Sequence, residues 1–208
     1  MARAYSVSKI LSTKHELVQW GESWQAAFGM PAASGVWFIW GNSANGKTRF
    51  MLEMAKELSK TKRLFYNSLE EGNSHTMQLA LRDAGIDGSN RNLTIGQEPM
   101  EELEERLKKR RAPEVVFIDS VQYTSLRLKK VKDLEDAYPD VLFIINSQAK
   151  GKQPLGVVAE AIRYHAALKI FVEGFTATSN GRYNPGGVYE IWNEGSEKYW
   201  GKEKEATT

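Results

Sequence analysis

The sequence predicts an α/β fold, in which a mostly parallel sheet has helices on both faces and antiparallel strands near the C-terminus. Short apolar runs rich in Val, Ile and Phe alternate with amphipathic stretches of helical period, the order expected of parallel strands joined by helices. A glycine-containing loop joins the first such run to a helix. In the last third, Gly, Asn and Pro turns separate short strands, which favours antiparallel pairing there.

The composition is that of one soluble globular domain: 208 residues, of which 41% are hydrophobic and 26% charged. The sequence contains no cysteine, which excludes disulfides, thiolate zinc sites and cysteine nucleophiles, and its three histidines are scattered. The net charge of +2 is nearly neutral, so contact with nucleic acid would depend on local basic patches. Without a long apolar run or a secretion signal, we expect a cytoplasmic protein with no membrane partner.

Three regions are expected along the chain: an N-terminal helical segment (1–29), a single domain (30–200) and a polar, frayed tail (201–208). In the first region, large and small apolar side chains recur at roughly helical spacing: Trp20, Trp24, Ala27 and Phe28. They could pack in the core of the same chain or dock on an adjacent subunit.

Strands and helices alternate through most of the domain. Strands are predicted at 36–40, 63–69, 92–96, 114–121 and 141–147, and helices at 47–60, 75–85, 99–111 and 127–138. The first of these helices is expected to bury Phe50, Met51, Met54 and Leu58. Three further short strands, at 167–174, 175–180 and 188–192, are expected to be antiparallel additions to one edge of the sheet.

The segment GNSANGKT (41–48) matches the phosphate-binding pattern G-x-x-x-x-G-K-[ST] in full and lies between a predicted strand and a predicted helix. Gly41 and Gly46 let the backbone bend so that its N–H groups point at phosphate oxygens, and the helix offers its positive N-terminal end. Lys47 is expected to reach the β- and γ-phosphates of ATP, and Thr48 to offer its hydroxyl to Mg²⁺. The predicted nucleotide-binding residues are Gly41, Asn42, Ser43, Ala44, Asn45, Gly46, Lys47, Thr48 and Arg49.

Carboxylates end two later strands. Four apolar residues precede Asp119, which would stand at the carboxyl end of its strand, where open α/β sheets bind ligands, and we expect it to hold Mg²⁺. Glu70 and Glu71 directly follow another strand and could orient an attacking water. One of the two could instead belong to an acidic turn before a helix capped by Asn73 or Ser74. We favour Glu70 as the catalytic residue.

With these residues in this order, the chain resembles the RecA/RadA-like ATPase family, which includes the motor domains of replicative hexameric helicases. The resemblance spans about residues 30–192 and rests on GNSANGKT (41–48), NSLEEG (67–72), VVFIDSVQYT (115–124) and FIINSQAKGK (143–152). It implies a RecA-like ATPase domain in which Lys47, Glu70 and Gln148 are catalytic, with Gln148 sensing the γ-phosphate. It also implies that Thr48 and Asp119 bind Mg²⁺.

The chain departs from the family in two respects. It has no zinc-finger segment, protease-like domain or helix-hairpin DNA-binding domain, so it is expected to be an isolated ATPase core. The family's basic signature Lys-Asn-Arg-Phe-Gly is replaced by SNGRYNPGG (179–187), with Asn180 at the lysine position and Arg182 at the arginine position. Arg182 could reach a neighbouring subunit's γ-phosphate or lie in a surface turn.

The segment after Gln148 stands where the family has its DNA-binding loop, and Lys150 and Lys152 could neutralise DNA phosphates there. Two richer basic runs, at 106–111 and 127–132, are interpreted as solvated helix faces, since acidic residues precede the first in the order that a helix dipole favours.

The resemblance therefore implies a Mg²⁺-dependent ATPase that acts on single-stranded DNA in recombination, annealing or repair, as a homo-oligomeric ring or filament. The alternatives are a ring-forming helicase or translocase motor, a small-molecule kinase, and a nucleotide-gated protein-binding module that hydrolyses ATP slowly.

Overall fold

One sheet of nine strands runs through the part of the chain that the structure, a computed structural model, describes: residues 4–201. The strands are β1 (Gly35–Gly41), β2 (Leu64–Ser68), β3 (Leu93–Gly96), β4 (Val115–Asp119), β5 (Leu142–Lys150), β6 (Gln153–Pro154), β7 (Leu168–Glu173), β8 (Thr176–Ser179) and β9 (Val188–Glu190). The helices are α1 (Val7–Ser12), α2 (Glu22–Phe28), α3 (Lys47–Leu58), α4 (His75–Asp83), α5 (Met100–Leu107), α6 (Leu128–Ala137), α7 (Val157–His165) and α8 (Asn193–Trp200). A 3₁₀ turn (Val121–Tyr123) follows β4.

The strand order is β3-β2-β4-β5-β1-β7-β8-β9, and β6 forms a hairpin with the end of β5. The strands from β3 to β7 in this order are parallel, whereas β8 and β9 are antiparallel. The predicted α/β class is therefore confirmed. The prediction of antiparallel pairing is confirmed between β7 and β8 but is wrong between β7 and β1, which pair in parallel because the unpredicted helix α7 carries the chain back across the sheet.

Two apolar layers cover the sheet. From β1, Trp37 and Ile39 face one layer, and Val36, Phe38 and Trp40 face the other, since successive side chains of a strand point to opposite faces. Burial of each large apolar side chain contributes roughly 1.5–3 kcal/mol. The centre of the sheet is thus held firmly, and β1 delivers the loop after Gly41 at a fixed place.

The predicted buried face of α3 is confirmed, because Phe50, Met51, Met54 and Leu58 are all nearly inaccessible to solvent. This face joins the same apolar layer as Trp37. The packing fixes the direction of α3 and therefore the direction of its N-terminus, at the end of the phosphate-binding loop.

The aromatic residues near the N-terminus belong to the core. Trp24, Ala27 and Phe28 are buried, and the Trp20 ring lies 5.7 Å from the Trp37 ring. The interpretation of these side chains as core packing is confirmed, although α1 and α2 cover only part of the predicted helical segment. Of the predicted polar tail, only Gly201 lies within the described residues.

The two basic runs carry ion pairs. Arg106 pairs with Glu98 and lies 4.1 Å from the Phe65 ring centre, and Lys130 pairs with Glu104. α5 ends at Leu107, earlier than predicted. Within residues 4–201, no helix combines the length and the apolar character needed to cross a membrane.

Candidate active site

The loop between β1 and α3 requires glycine at its two ends. A Cβ atom on Gly41 would lie 2.2 Å from the Val172 carbonyl oxygen of β7, so a larger residue would force the two central strands apart. Gly46 has a φ of 91°, in the left-handed region that favours glycine, and caps the N-terminus of α3. The unpaired N–H groups of the first turn of α3 therefore face the space above the loop, an arrangement that suits an anion.

Two asparagines anchor the loop to its surroundings and do not line the cleft. The Asn45 side chain accepts a hydrogen bond from the Gly174 backbone N–H (2.8 Å), at the turn between β7 and β8. Asn42 donates from its side chain to the Gly151 carbonyl oxygen (3.1 Å), at the tip of the β5–β6 hairpin. The loop is thus held between two hairpins before any ligand binds.

A cleft of about 350 Å³ opens at the carboxyl edge of the sheet, directly above this loop. It is lined by Ser43, Ala44, Gly46, Lys47, Thr48, Arg49, Glu70, Glu71, Asp119, Asn146, Gln148 and Phe175. The structure therefore brings together most of the residues predicted for the site. Gly41, Asn42 and Asn45 shape the loop behind it.

Lys47 lies at the bottom of the cleft and is largely buried. Its ammonium group donates a hydrogen bond to the Asn42 carbonyl oxygen (2.9 Å). Burial lowers the pKa of Lys47, and the negative charges of Asp119 and Glu70 partly oppose that effect. A cation that has lost much of its hydration is suited to bind a phosphate oxygen.

Asp119 stands at the end of β4, with only 5% of its surface exposed. Its two carboxylate oxygens accept hydrogen bonds from the Tyr66 hydroxyl (2.8 Å) and from the Asn146 side-chain amide (2.5 Å). Burial raises the pKa of Asp119, and these two hydrogen bonds partly offset the rise. The hydrogen bonds fix the orientation of the carboxylate toward the cleft.

The oxygen atoms around Asp119 fit a hard cation. The Asn146 side-chain oxygen is buried and has no hydrogen-bond partner, so it could accept from water bound to a metal. Within residues 4–201, no cluster of three or more Asp, Glu or His residues could hold a metal by itself. Mg²⁺ suits such a site, because it commonly binds through one or two protein oxygens, with the remainder from phosphates and water.

Glu70 and Glu71 both line the cleft, but they differ in their contacts. The Glu71 carboxylate accepts a hydrogen bond from the Thr76 hydroxyl (2.8 Å), and the Ser74 side chain caps the N-terminus of α4 by accepting from the Met77 backbone N–H. Glu71 therefore belongs to the polar turn before α4. Glu70 lies beside Tyr123, and its negative charge raises the pKa of the Tyr123 hydroxyl.

Gln148 lines the cleft from the end of β5. Its backbone N–H donates to the side-chain oxygen of Gln122 (3.2 Å), in the 3₁₀ turn after β4. The same Gln122 side chain donates to the Ser147 hydroxyl (2.8 Å). The position of Gln148 therefore depends on a second glutamine that was not predicted for the site.

Four residues near the cleft were not predicted: Tyr66, Gln122, Asn146 and Phe175. The sequence does contain an indication of Asn146, since it is the first polar residue after the apolar run of β5. The Phe175 backbone N–H donates to the Asn45 carbonyl oxygen (3.3 Å) across the loop. Nothing in the sequence indicates that Phe175 lies at the site, because only the β7–β8 turn places it against Gly46.

A group of basic residues, called here the basic strip, lies on the β5–β6 hairpin, α7, β7 and the β8–β9 connection: Lys150, Lys152, Arg163, Lys169 and Arg182. The Trp40 indole donates to the Lys152 carbonyl oxygen (3.0 Å), and the Arg163 guanidinium lies 5.4 Å from the Trp40 ring centre. Tyr164, beside Arg163, is 67% exposed.

Three charges of the basic strip, on Arg163, Lys169 and Arg182, lie close enough to affect one another. Burial lowers the pKa of Lys169, and the nearby positive charges of Arg182 and Arg163 lower it further. Arg163 also lies 3.9 Å from Glu160, a long ion pair that offsets little of this charge. An anion on this surface would relieve the repulsion.

Comparisons with known proteins bear on the fold. No protein-family model and no curated protein matches the sequence. Among solved structures, the ATP synthase subunit NeqB from Nanoarcheaum equitans is similar, with a TM-score of 0.54 and 14% identity over 76% of this chain and 50% of NeqB. A KaiC-like protein from Pyrococcus horikoshii OT3 is also similar, with a TM-score of 0.54 and 18% identity over 76% of this chain and 81% of that one.

The chain spans half the length of NeqB, and the identities are low, so the likeness concerns the fold. The chain therefore shares with these two structures a fold in which a mostly parallel sheet is covered by helices.

Proposed function

We propose that the protein is a Mg²⁺-dependent ATP hydrolase. The single observation that carries the proposal is the meeting of Lys47, Thr48, Glu70 and Asp119 in one cleft above the N-terminus of α3. A triphosphate, a divalent cation and a water can be held together by this set of residues. The solved structures of similar fold support the proposal at the level of architecture.

Each residue has a distinct part in this proposal. The loop backbone and the Lys47 ammonium hold the β- and γ-phosphates, and Thr48 and Asp119 hold the cation. Mg²⁺, when bound, neutralises charge on the phosphate oxygens. Glu70 accepts a hydrogen bond from the attacking water and orients it toward the γ-phosphorus, and Gln148 contacts the γ-phosphate from the end of β5.

Measurement of phosphate release with ATP tests this function directly. We expect turnover that requires Mg²⁺ and is lost when EDTA removes the ion. Tight ATP binding with negligible turnover would instead favour a nucleotide-gated binding module. Transfer of the γ-phosphate to an added small molecule, and not to water, would favour a kinase.

The finer proposal is that hydrolysis serves single-stranded DNA. The basic strip supports it, because the strip begins two residues after Gln148 and the exposed ring of Tyr164, on which a base can stack, lies beside Arg163. ATP turnover with and without single-stranded DNA, together with retention of a labelled oligonucleotide, tests this part. If single-stranded DNA does not stimulate ATP turnover and the protein does not retain the oligonucleotide, the proposal of DNA binding is contradicted and the proposal of ATP hydrolysis is not.

Assembly into a homo-oligomeric ring or filament, and a task in recombination, annealing or repair, rest on the resemblance to the RecA/RadA-like family. Sedimentation with a slowly hydrolysed ATP analogue and single-stranded DNA distinguishes a filament from a closed ring. Unwinding of a forked duplex by a closed ring would favour the helicase alternative.

A further inference from the structure

The Gln122 side chain joins three backbone and side-chain groups at the edge of the cleft. Its amide nitrogen donates to the Ser147 hydroxyl (2.8 Å) and to the Leu155 carbonyl oxygen (3.1 Å), and its oxygen accepts from the Gln148 backbone N–H (3.2 Å). Gln122 lies three residues after Asp119, in the 3₁₀ turn. One side chain therefore connects the end of β4 to two separate points of another segment.

Those two points are the ends of the hairpin formed by residues 149–155. The Leu155 backbone N–H also donates to the Gln148 carbonyl oxygen (2.8 Å), which closes the base of the hairpin. Its tip carries Lys150 and Lys152, both exposed, and β6 is only two residues long. Asn42 and Trp40 donate to the Gly151 and Lys152 carbonyl oxygens at the tip, and Gln122 holds the base, so the bonds at the base set part of the conformation of the hairpin.

The base of the hairpin is also a wall of the cleft, because the Gln148 side chain lines the cleft while its backbone is held by Gln122. Ser147, the other residue held there, is fully buried. A shift of Gln148 toward a phosphate would therefore be passed through Gln122 to Leu155. In the reverse direction, a movement of the hairpin caused by binding at Lys150 or Lys152 would be passed through Gln122 to Gln148.

We propose that Gln122 is a positioning residue that couples the conformation of the 149–155 hairpin to the contact between Gln148 and the nucleotide. The proposal rests on the proposed nucleotide site and adds its regulation. The nucleotide thereby changes the exposure of the hairpin.

Limited proteolysis measures this coupling and does not require that the protein hydrolyse ATP. Trypsin cleaves after Lys150 and Lys152, and mass spectrometry can quantify both products with and without ATP and Mg²⁺. Cleavage after Lys14, which is exposed and outside any helix, serves as the internal reference. For the wild type we expect ATP to change hairpin cleavage by about fivefold to tenfold relative to that reference.

Two variants test Gln122. Gln122→Met keeps the side-chain volume but loses all three hydrogen bonds, and Gln122→Glu keeps an acceptor for Gln148 while losing both donated bonds.

We expect both variants to retain ATP affinity within about twofold. Both should lose most of the effect that ATP has on hairpin cleavage, and the loss should be smaller for Gln122→Glu. We expect kcat to fall by about tenfold with little change in KM. Gln25→Met, on an exposed position of α2, is the matched control.

The outcomes separate the coupling from the proposed function. Two results would overturn the coupling without overturning the proposal of ATP hydrolysis. In the first, ATP alters hairpin cleavage equally in the wild type and in Gln122→Met. In the second, the wild type hydrolyses ATP but ATP does not alter hairpin cleavage. If ATP binds and alters cleavage in a Gln122-dependent manner but is never hydrolysed, the hydrolase is overturned and the coupling holds. A wild type that binds no ATP overturns both. Should Gln122→Met not fold, Gln122→Glu decides the question alone.

Discussion

The phosphate-binding loop and the 149–155 hairpin contact each other, yet they are held in different ways. The loop connects the buried strand β1 to the buried face of α3, and Asn45 fixes it to the Gly174 backbone. The hairpin rises from the end of β5 and is held by a few hydrogen bonds, among them the one from Trp40 to Lys152. The loop has a geometry set by the core, whereas the hairpin has a conformation that a small free energy can change.

This difference assigns separate tasks to the two regions. Phosphoryl transfer needs charges placed before the substrate arrives, which a loop anchored in the core provides. Recognition of a partner, and a response to it, need a segment that can move. Substitutions in the loop should therefore abolish function, and substitutions in the hairpin should reduce it.

The largest effect is expected for Lys47→Ala, because Lys47 carries the one ammonium group among residues 4–201 that lines the cleft. ATP turnover should fall by at least about a hundredfold, comparable to the loss of a charge-stabilising donor in other enzymes. Phosphate release at saturating ATP measures it. Lys60→Ala, which alters an exposed lysine just beyond α3 that pairs with Glu57, should leave turnover unchanged. Retained activity in Lys47→Ala would disprove the assignment of the site.

Glu70→Gln should come next, with a fall in kcat of about a hundredfold to a thousandfold and little change in ATP affinity, because it removes the group that orients water. Glu71→Gln is the matched comparison. Its carboxylate is engaged by Thr76 at the start of α4, so we expect a decrease of no more than about tenfold. The two kcat values, with ATP binding measured separately, decide between the glutamates. A larger loss in Glu71→Gln would reverse their roles.

Gly41→Ala tests whether the core fixes the loop. The added methyl group would lie 2.2 Å from the Val172 carbonyl oxygen, so β1 and β7 would have to separate. We expect the free energy of unfolding to fall by about 2–3 kcal/mol, as for other overpacked cores. Chemical denaturation measures it, with Gly88→Ala as control, since among the described residues none beyond its chain neighbours comes within 4 Å of a Cβ there. Equal stability of the two variants would contradict the close packing of β1 on β7.

The sequence was sufficient to predict the loop because its determinants are local. Gly41, Lys47 and Thr48 occur within eight residues, and Asp119 could be placed because apolar strands end at a shared edge of a parallel sheet. The partners that orient these residues are distant in sequence. Tyr66 is 53 residues from Asp119, and Gln122 is 33 residues from Leu155.

The same reasoning explains the error at β7. The apolar run at 167–174 was recognisable as a strand, but its direction depends on α7, whose short amphipathic pattern was not recognised. The sequence indicates the 149–155 hairpin only as a loop that carries two lysines. Its link to Arg163 passes through Trp40, a residue of β1 that sequence spacing cannot connect to α7.

A smaller effect is expected from pH at Asp119. Because burial raises its pKa above the value of about 3.9 found in unfolded chains, the folded protein binds this proton more readily than the unfolded chain does. The contribution of Asp119 to the free energy of unfolding therefore decreases as pH rises from about 4 through the raised pKa. Without Mg²⁺, Asp119→Asn should gain about 2–4 °C in Tm over the wild type as pH rises from about 4 to 7.

Thermal denaturation across that pH range measures the effect, with Asp136→Asn on the exposed face of α6 as control. Added Mg²⁺ should stabilise the wild type and leave Asp119→Asn nearly unchanged, since the cation binds the ionised carboxylate. A Tm difference that shrinks as pH rises would contradict the assigned direction of the pKa shift.

The smallest effect is expected at the tip of the hairpin. Lys150→Ala combined with Lys152→Ala removes two charges of the basic strip and leaves Arg163, Lys169 and Arg182 in place. Single-stranded DNA should bind about fivefold to tenfold more weakly, and the slope of log affinity against log salt should become shallower by about 1.4, near 0.7 per lost phosphate contact. Fluorescence anisotropy at several salt concentrations measures both quantities. Lys129→Ala combined with Lys130→Ala, two lysines of α6 that pair with Asp133 and Glu104, should change neither. Basal ATP turnover should stay within about twofold of the wild type, because both substitutions keep the Gly151 and Lys152 carbonyl oxygens to which Asn42 and Trp40 donate.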